Sequence, residues 1–477
     1  MDDGVLGIPA GGWLTLVGYA FLPCAWWLHQ HGKIRRCIAV LALCTGLLRF
    51  GPSMDPCLHE WDEQYHALVA KHLIAHPLTP TLYDDAVLPH GDGTWSNTRI
   101  WLNKPPLSLW AIALSLKTFG PEPWAVRIPS VLLSMVGVLI LYALAAMLSD
   151  RRIAFWSALL FAVQGHLIEL ASGRTSNDHP DTFLVVFVLA SIYAALRMAK
   201  DQTMRWALTF GVLTGLAFLS KSWPALIVVP VASAFLLRVQ QSQRNRAMQC
   251  LIVGLLAAML IALPWTWYTT THFPEEAAIT ASAHWRHFTE GLEDHGRPWT
   301  YFWVQLPMIN GELAPLALLW FFFLPFRKEP RKHAALLLWW LVPFIVFSFA
   351  RTKMPGYTAI SVPAICIILG SAIVEWSSLH SPTRTFRSMS RIGALALVLL
   401  PLRFSLDRTR PLEIVAPRYT IPQTLMNVPE RTVVEYCSDP IAMMFHTSVA
   451  ASYRDGLPSG AKVRYEALGY GFLRCAE

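Results

Sequence analysis

Two adjacent acids and a more distant lysine are the side chains best suited to chemistry. Asp62 and Glu63 stand in the polar stretch 59–65, and Lys104 precedes two prolines in the stretch 101–107. A carboxylate can take a proton from an attacking hydroxyl, and an ammonium can stabilise a departing phosphate. Because apolar segments flank both stretches, we expect these charges at a membrane surface, where an ionisable side chain is a functional candidate.

The composition is that of a membrane protein rather than a soluble one. Of 477 residues, 54% are hydrophobic and 15% are charged, and the mean hydropathy is +0.40, whereas soluble domains carry about 25% charged residues. The net charge of +8 comes largely from short basic clusters between apolar segments, a pattern typical of cytoplasmic loops. We therefore expect membrane lipids around the chain and no nucleic-acid partner.

Apolar segments suited to crossing a bilayer core of about 30 Å recur along the chain. The fold class that we predict is an all-α polytopic membrane protein with about 12 transmembrane helices. The segments lie near residues 11–28, 37–51, 124–148, 153–170, 181–197, 206–220, 223–238, 248–268, 313–326, 334–350, 357–375 and 392–404.

Basic residues fill every second connection between these segments, which assigns those connections to the cytoplasm. The first apolar segment should be a retained span with its N-terminal side outside, since no basic residue precedes it. The basic clusters are Lys33/Arg35/Arg36, Arg151/Arg152, Arg197/Lys200/Arg205, Arg238/Arg244/Arg246, Arg327/Lys328/Arg331/Lys332 and Arg384/Arg387/Arg391.

The remaining connections should face outward, and the first of them, 52–123, is far longer than a linker needs to be. Apolar residues between Tyr65 and Leu73 recur at helical spacing, and residues 107–119 form another short apolar run. We predict two amphipathic juxtamembrane helices lying on the outer surface. With the spans, they would form a transmembrane domain of residues 1–404.

After the last apolar segment, residues 405–477 become polar. Stretches 432–436 and 462–465 have the composition of short strands. We predict a small extracytoplasmic α/β domain here. Cys437 and Cys475 lie within it, and either a disulfide or two free thiols would be compatible with the sequence.

Cations gather in the outward connections, where the charge rule for topology gives no reason for them. Such a set suits a substrate with a phosphate head and a lipid tail, since lysine and arginine both bind phosphate. Lysines could instead be interface anchors, and Asp62 could simply cap a helix. Besides Lys104, the cationic candidates are Arg174, Lys221, Arg351 and Lys353.

Several short motifs, in a fixed order, resemble those of the C-type glycosyltransferases that depend on polyprenyl-phosphate sugars. This superfamily includes the bacterial aminoarabinose transferases and the protein O-mannosyltransferases, and the resemblance covers roughly residues 37–375. The motifs are Asp62-Glu63-Gln64-Tyr65, Lys104-Pro105-Pro106-Leu107, Phe119-Gly120 with Arg127-Ile128-Pro129-Ser130, Ser220-Lys221, and Thr352-Lys353-Met354-Pro355-Gly356-Tyr357.

The resemblance implies roles for individual residues. Asp62 would be the catalytic carboxylate, with Glu63 beside it, and Lys104 would contact the carrier phosphate. An acid of the second outer loop would assist, either Asp178 or Asp181, and the apolar residues that follow Asp181 favour it. The motif tyrosines Tyr65 and Tyr357 would join the substrate-binding set, together with the cations named above.

The resemblance also raises the question of a metal. In the aminoarabinose transferases a glutamate before the Lys-Pro-Pro lysine and a histidine of a later outer loop bind a metal ion. Here the first position is Asn103, and His284 matches the histidine only approximately. An asparagine amide is a poor zinc ligand. We therefore assume no cofactor, and a divalent metal held by His284 is an open alternative.

Together these features predict a membrane glycosyltransferase that moves a sugar from a polyprenyl-phosphate carrier to a lipid, glycan or protein acceptor. We expect it in a bacterial inner membrane, with its site facing the periplasm and with Asp62 as a general base that inverts the anomeric centre. The alternative is a transporter or flippase of a lipid-linked anion, which would instead place ionisable groups near the bilayer midplane. A non-catalytic assembly subunit is a third possibility.

Overall fold

Helices make up most of the chain in the computed structural model. Proline stands in the first turn of the helices that begin at Pro106, Pro123 and His179, where its missing N–H costs nothing. The structure describes residues 9–83, 96, 98–236, 241–323, 330–379, 383–411, 432–437, 439–448, 450–453, 463, 466–467, 469 and 471–474. The helices up to residue 408 are α1 (Ala10–Ala20), α2 (Leu22–Gln30), α3 (Ile34–Ser53), α4 (Asp62–Leu73), α5 (Pro106–Phe119), α6 (Pro123–Leu148), α7 (Arg151–Ala162), α8 (Gly165–Ala171), α9 (His179–Asp201), α10 (Met204–Lys221), α11 (Val228–Leu236), α12 (Arg244–His272), α13 (Pro274–Thr289), α14 (Tyr301–Asn310), α15 (Ala314–Phe323), α16 (Pro330–Phe349), α17 (Val362–Ser378) and α18 (Arg384–Arg408).

Each of the apolar segments predicted from the sequence overlaps, in its described residues, with one helix or with two consecutive helices. Within the described ranges, five helices are long and apolar enough to cross a membrane, or up to seven if each bent pair counts as one span. The bent pairs are α7 with α8, at 50°, and α14 with α15, at 107°. The helical membrane fold is therefore confirmed, while the number of twelve crossings stays a prediction.

The helices share a packed apolar interior and also carry large apolar side chains on the outside of the molecule. Helices α3, α6, α7, α9, α16 and α17 contribute most of one large apolar cluster. Leu260 of α12, Phe323 of α15 and Ile392 of α18 are large apolar side chains that remain exposed. A helix face of this kind is stable only against lipid or another apolar surface.

The two predicted juxtamembrane helices are present as α4 and α5, and they pack on each other. The expectation that both lie on the surface is wrong for α4, because ten of its twelve residues are buried. The sequence of α4 looks amphipathic because its apolar side chains recur at helical spacing among polar ones. Its remaining face is covered by the C-terminal segment, which the sequence pattern did not connect to it.

The described residues of the C-terminal segment contain a three-stranded parallel sheet of order β2-β1-β3 and one helix, while a separate extracytoplasmic domain stays a prediction. Its elements are β1 (Thr432–Cys437), α19 (Pro440–His446), β2 (Ala450–Tyr453) and β3 (Gly471–Arg474). The first predicted strand is β1. The second, at 462–465, is contradicted at Val463, which is helical, and its other residues lie outside the described ranges.

Two further expectations concern the start of this segment and the pairing of its cysteines. The division at residue 405 falls inside a helix, since α18 continues to Arg408. Cys437 ends β1, whereas Cys475 lies outside the described residues, so their pairing stays a prediction.

Candidate active site

A cavity of about 120 Å³ lies where α4, α9, α10 and α13 meet the residues just before α5. Its lining combines charged groups with aromatic and aliphatic ones. Six of the site residues predicted from the sequence line it, namely Asp62, Lys104, Asp181, Lys221, His284 and Tyr357.

Asp62 is the first residue of α4, and Lys104 reaches it from the far end of the same long connection. The Lys104 Nζ lies 3.1 Å from the Asp62 Oδ2. Burial alone would raise the pKa of the Asp62 carboxyl, but the charges of Lys104 and His66 outweigh it and hold that pKa below its usual range. Burial likewise opposes the charge of Lys104, whose pKa is nevertheless raised by Asp62. Both groups are therefore ionised at neutral pH.

A second acid–lysine pair lies in the same cavity. Asp181 is in the first turn of α9, and its Oδ2 is 2.5 Å from the Nζ of Lys221, the last residue of α10. The Lys221 ammonium also lies 5.4 Å from the ring centroid of Tyr357, within the range of a cation–π contact. The two pairs together give the cavity two carboxylates able to accept a proton and two ammonium groups able to hold an anion.

Asp178, the other candidate for the second acid, does not line the cavity. It is completely buried, and its Oδ1 lies 2.8 Å from the Nδ1 of His66, which is also completely buried. Although Asp178 stands immediately before α9, its side chain does not cap the helix. The structure therefore favours Asp181 over Asp178 as the acid that could meet a substrate.

Glu63 points away from the cavity into a fully buried network. Its Oε1 accepts a hydrogen bond of 2.6 Å from the Nε of Arg127 in α6, and its Oε2 accepts one of 2.9 Å from the Nη2 of the same side chain. The Glu63 Oε2 also accepts a hydrogen bond from the backbone N–H of His59 at 2.6 Å. Burial opposes ionisation, but Arg127 and His59 hold the pKa of Glu63 well below its usual range. The predicted catalytic role of Glu63 thus has no geometric support, because both of its oxygens are occupied.

Gly173 explains how this carboxylate fits beneath the second outer loop. The residue adopts φ of +72°, and a Cβ built on it would lie 2.2 Å from the Glu63 Oε1. Both the backbone conformation and the close approach therefore require glycine.

Arg174 was expected to bind phosphate, but its donors are already engaged. The guanidinium makes a bidentate pair with Asp55, with Nε to Oδ2 at 2.8 Å and Nη2 to Oδ1 at 2.9 Å. Its Nη1 donates to the carbonyl oxygens of Arg408 and Arg410 at 2.9 and 2.7 Å. Arg174 therefore joins three segments of the fold and does not line the cavity.

Three further candidates also lie off the cavity lining. The Lys353 ammonium is buried and donates to the carbonyl oxygens of Arg297, at 3.0 Å, and Ala350. Arg351 is exposed. Tyr65 is buried in the apolar cluster around α4 and α5, where its ring stacks against Trp101. Of the five predicted phosphate-binding cations, Lys104 and Lys221 line the cavity, and their role stays a prediction.

The histidine predicted to hold a metal has a different environment. His284 lines the cavity from α13, and its Nε2 lies 3.2 Å from the carbonyl oxygen of Asn103. Desolvation by the surrounding protein and the charge of Lys104 lower the pKa of His284, so the ring is neutral at pH 7. Among the residues that the structure describes, no group of three histidine, cysteine or acidic side chains could hold a metal ion. The side chains around His284 therefore do not fit a metal ion.

Sequence reasoning missed several residues that the structure brings to the site. Arg127 appeared only as part of a motif, although a charged side chain at the start of an apolar span requires a partner. His66 lies one turn beyond Asp62 in α4, and its position within an apolar repeat gives no sign of a charged partner. His287 lines the cavity from α13, and nothing in its local sequence signals this.

The chain is similar in sequence to one protein family and to several transferases of known description. The family model described as dolichyl-phosphate-mannose-protein mannosyltransferase matches residues 103–268. An undecaprenyl phosphate-alpha-4-amino-4-deoxy-L-arabinose arabinosyl transferase of Pseudomonas fluorescens is 29% identical over 348 residues, which cover 72% of this chain and 57% of the relative. A transferase of the same description from Pseudomonas paraeruginosa is 30% identical over 355 residues, 72% of this chain and 60% of the relative. The chain thus spans little more than half the length of these relatives.

Two solved structures share the fold. ArnT from Cupriavidus metallidurans, bound to undecaprenyl phosphate, superimposes with a TM-score of 0.61 at 16% identity, covering 91% of this chain and 89% of that chain. The archaeal oligosaccharyltransferase AglB from Archaeoglobus fulgidus superimposes with a TM-score of 0.60 at 13% identity, covering 89% of this chain and 65% of that chain. The chain is thus similar in sequence to undecaprenyl-phosphate-dependent aminoarabinose transferases over much of its length, and it shares its fold with the two solved structures.

Proposed function

We propose that this protein transfers a sugar from a polyprenyl-phosphate carrier to an acceptor outside the cytoplasm. The observation that carries the proposal is the presence of two acid–lysine pairs, Asp62 with Lys104 and Asp181 with Lys221, on the wall of one cavity. Transfer from a glycosyl phosphate needs a cation for the leaving phosphate and a base for the incoming hydroxyl. The cavity offers both.

The reaction that this arrangement supports is a single displacement. An acceptor hydroxyl attacks the anomeric carbon, the bond from that carbon to the phosphate oxygen breaks, and the electron pair leaves with the carrier phosphate. Lys104 and Lys221 stabilise the departing anion, and Asp62 takes the proton of the hydroxyl. Attack from the face opposite the leaving group inverts the anomeric centre.

Asp62 suits the role of base because its carboxyl is ionised before the substrate arrives. The donor phosphate competes with Asp62 for the Lys104 ammonium, since both anions require the same cation. When the phosphate takes Lys104, the carboxylate loses its partner and becomes a stronger base. Asp181, held by Lys221, is the second acid and orients the acceptor or the sugar.

The relatives indicate the donor class more closely than the acceptor. Their names state an undecaprenyl phosphate-linked aminoarabinose, so an undecaprenyl-phosphate sugar is the donor that we propose here. Lipid A, another glycan or a protein are the acceptor classes. We propose the inner membrane of a bacterium as the location, with the cavity open to the periplasm.

Transport of a lipid-linked anion is the competing function. It would need ionisable groups along a path through the bilayer. The lysines of this cavity instead lie at helix ends, since Lys221 ends α10 and Lys104 precedes α5. This placement favours chemistry at one face of the membrane over passage across it.

A labelled donor distinguishes these functions. Purified protein in lipid nanodiscs is incubated with a panel of undecaprenyl-phosphate sugars, labelled in the sugar, and with lipid A, glycan and peptide acceptors. The proposal expects label in one acceptor, linked with the opposite anomeric configuration by NMR. The same protein in sealed vesicles serves as the transport assay. Label that crosses the vesicle bilayer without ever joining an acceptor would establish the flippase in place of the transferase.

A further inference from the structure

The first turn of helix α4 has no side-chain cap from the residue before it. The residue before it, Trp61, adopts φ of 71° and ψ of −128° and offers no side-chain hydrogen bond to the first turn. A left-handed conformation is strained for a bulky residue, and an uncapped first turn tends to fray. Asp62 is the first residue of this turn, so its position must depend on contacts from elsewhere in the fold.

Two such contacts fall on the two residues that follow Asp62. Glu63 is fixed from the transmembrane side by Arg127 of α6. Gln64 is fixed by the C-terminal segment, because its Nε2 donates a hydrogen bond of 2.6 Å to the Oδ2 of Asp439. Asp439 also stands at the start of α19, where its Oδ1 accepts a hydrogen bond from the backbone N–H of Ala442 at 3.1 Å.

The far end of α19 is tied to the far end of α4. The Lys71 ammonium donates to the carbonyl oxygens of Met444, Phe445 and Thr447 at 2.7, 3.0 and 2.6 Å. These are the acceptors that a helix C-terminus leaves unsatisfied, and a cation is favourable there. Since Gln64 meets the beginning of α19 and Lys71 meets its end, the two helices run in the same direction and are joined at both ends.

The attachments match in length. Gln64 and Lys71 are about 10 Å apart along the axis of α4, since an α-helix rises 1.5 Å per residue. Asp439 and the last carbonyl groups of α19 are about the same distance apart along the axis of α19. Between the ends, the buried side chains of α19 and β1 share one apolar cluster with Leu68 and Val69 of α4. Sliding of α4 along its axis would therefore break polar contacts at both ends and disturb packing between them.

We propose that α19 is a brace that holds α4 in register and so positions Asp62 against Lys104, with Gln64, Lys71 and Asp439 as positioning residues. The inference rests on the proposed function, in which Asp62 is the base. It gives the C-terminal segment a role in the reaction without any contact with the substrate.

The brace is tested on the full-length protein by a charge swap at its first contact. Gln64→Glu sets two carboxylates against each other, whereas Asp439→Asn leaves two amides that can still hydrogen bond and serves as the matched control. The double variant Gln64→Glu/Asp439→Asn restores the contact with donor and acceptor exchanged, while the amide oxygen introduced at position 439 can still accept from Ala442. Each variant is measured for hydrogen exchange over residues 58–67, for binding of undecaprenyl phosphate, for thermal melting, and for kcat and KM with the donor found to support transfer.

We expect Gln64→Glu to melt near the wild-type temperature and to exchange faster at the start of α4. Its kcat should fall by roughly tenfold or more, because a small misplacement of a catalytic group is costly, while KM for the donor changes little. The double variant should regain both slow exchange and kcat. If Gln64→Glu does not fold, Gln64→Met, which only removes the donor, replaces it with the same expectations for exchange and kcat.

Unchanged exchange and unchanged kcat in a folded Gln64→Glu protein would overturn the brace. So would a loss of kcat that the double variant fails to repair. Hydrogen exchange and carrier binding do not require turnover. If the wild-type protein transfers no sugar, the proposed function fails on its own, and the exchange pattern still decides whether α19 holds α4.

Discussion

The Asp62 carboxylate and the Lys104 ammonium lie 3.1 Å apart, although they come from opposite ends of the long connection between α3 and α6. Each group keeps the other ionised inside a cavity that would otherwise favour the neutral forms. The Asp62 carboxylate is therefore a base, and the Lys104 ammonium an anion-binding group, held in contact with each other. In the proposed reaction the phosphate of the substrate binds Lys104 and so releases Asp62.

Replacing Asp62 by asparagine tests the base directly. Asp62→Asn keeps the size of the side chain but removes the proton acceptor, and general-base catalysis is worth about 10²- to 10⁴-fold in rate. We expect kcat for transfer to a hydroxyl acceptor to fall within that range while expression and membrane insertion stay normal. Near wild-type transfer would remove Asp62 from the mechanism. A small effect restricted to a phosphate acceptor would instead show that the attacking oxygen is already deprotonated.

Lys104 and Lys353 form a matched pair for testing the anion site, since only the first lines the cavity. Lys104→Met should weaken the binding of undecaprenyl phosphate by about tenfold or more, because it removes a charge-assisted contact. Lys353→Met should leave that affinity unchanged but reduce stability by about 1–3 kcal/mol, because buried carbonyl oxygens lose their donor. Carrier binding by titration calorimetry and thermal melting of both variants provide the check. Equal losses of affinity would contradict the assignment.

Arg127 should matter for folding rather than for substrate. Its side chain and that of Glu63 are both completely buried, and removal of one partner leaves an uncompensated charge at a cost of about 3–5 kcal/mol. Arg127→Met should therefore lower the melting temperature strongly. The double variant Glu63→Gln/Arg127→Met should recover much of the loss, since it removes both charges. Failure of the double variant to recover stability would mean that the remaining contacts of Arg127 dominate.

His446, at the end of α19, gives the brace a pH dependence of known sign. Burial and the charge of Lys71 lower the pKa of His446 to about 4, from an ordinary value of about 6.5. The unfolded chain thus binds a proton more readily than the folded one, so this contribution to stability is fully present above pH 6.5 and is lost as pH falls toward 4. The melting temperature of the wild-type protein should decrease through this window, and His446→Gln should make the decrease shallower. Parallel curves for the two proteins would exclude the effect.

Topology and residue type are enough to predict which outward connections supply the charged side chains of the site. Alternation of basic clusters assigned the outward connections, and this was enough to associate Asp62, Lys104, Asp181 and Lys221, which do line one cavity. The sequence pattern could not distinguish these cavity-lining cations from Arg174, which is already paired with Asp55, a residue far away in the chain. Whether a charge is available to a ligand depends on contacts between distant segments, and local patterns do not record them.

The fold shows the same division between local and distant information. Helical periodicity identified α4 and α5 within about three residues of their observed starts, because that signal is contained in each segment. Strand β1 has two neighbours that are both parallel to it and come later in the chain, and only one further stretch was predicted as a strand. Parallel pairing has no hairpin turn to mark it in the sequence. The burial of α4 by α19 was invisible for the same reason.

The two acid–lysine pairs also determine how the carrier leaves. In the proposed reaction the loaded carrier is a phosphodiester with one negative charge, whereas the spent carrier is a monoester with about 1.5 to 2 charges at pH 7. Lys104 and Lys221 therefore attract the spent carrier more strongly than the loaded one. We therefore expect departure of the product to limit turnover in the proposed reaction, and accumulated undecaprenyl phosphate to inhibit it more strongly as pH rises and the second proton is lost.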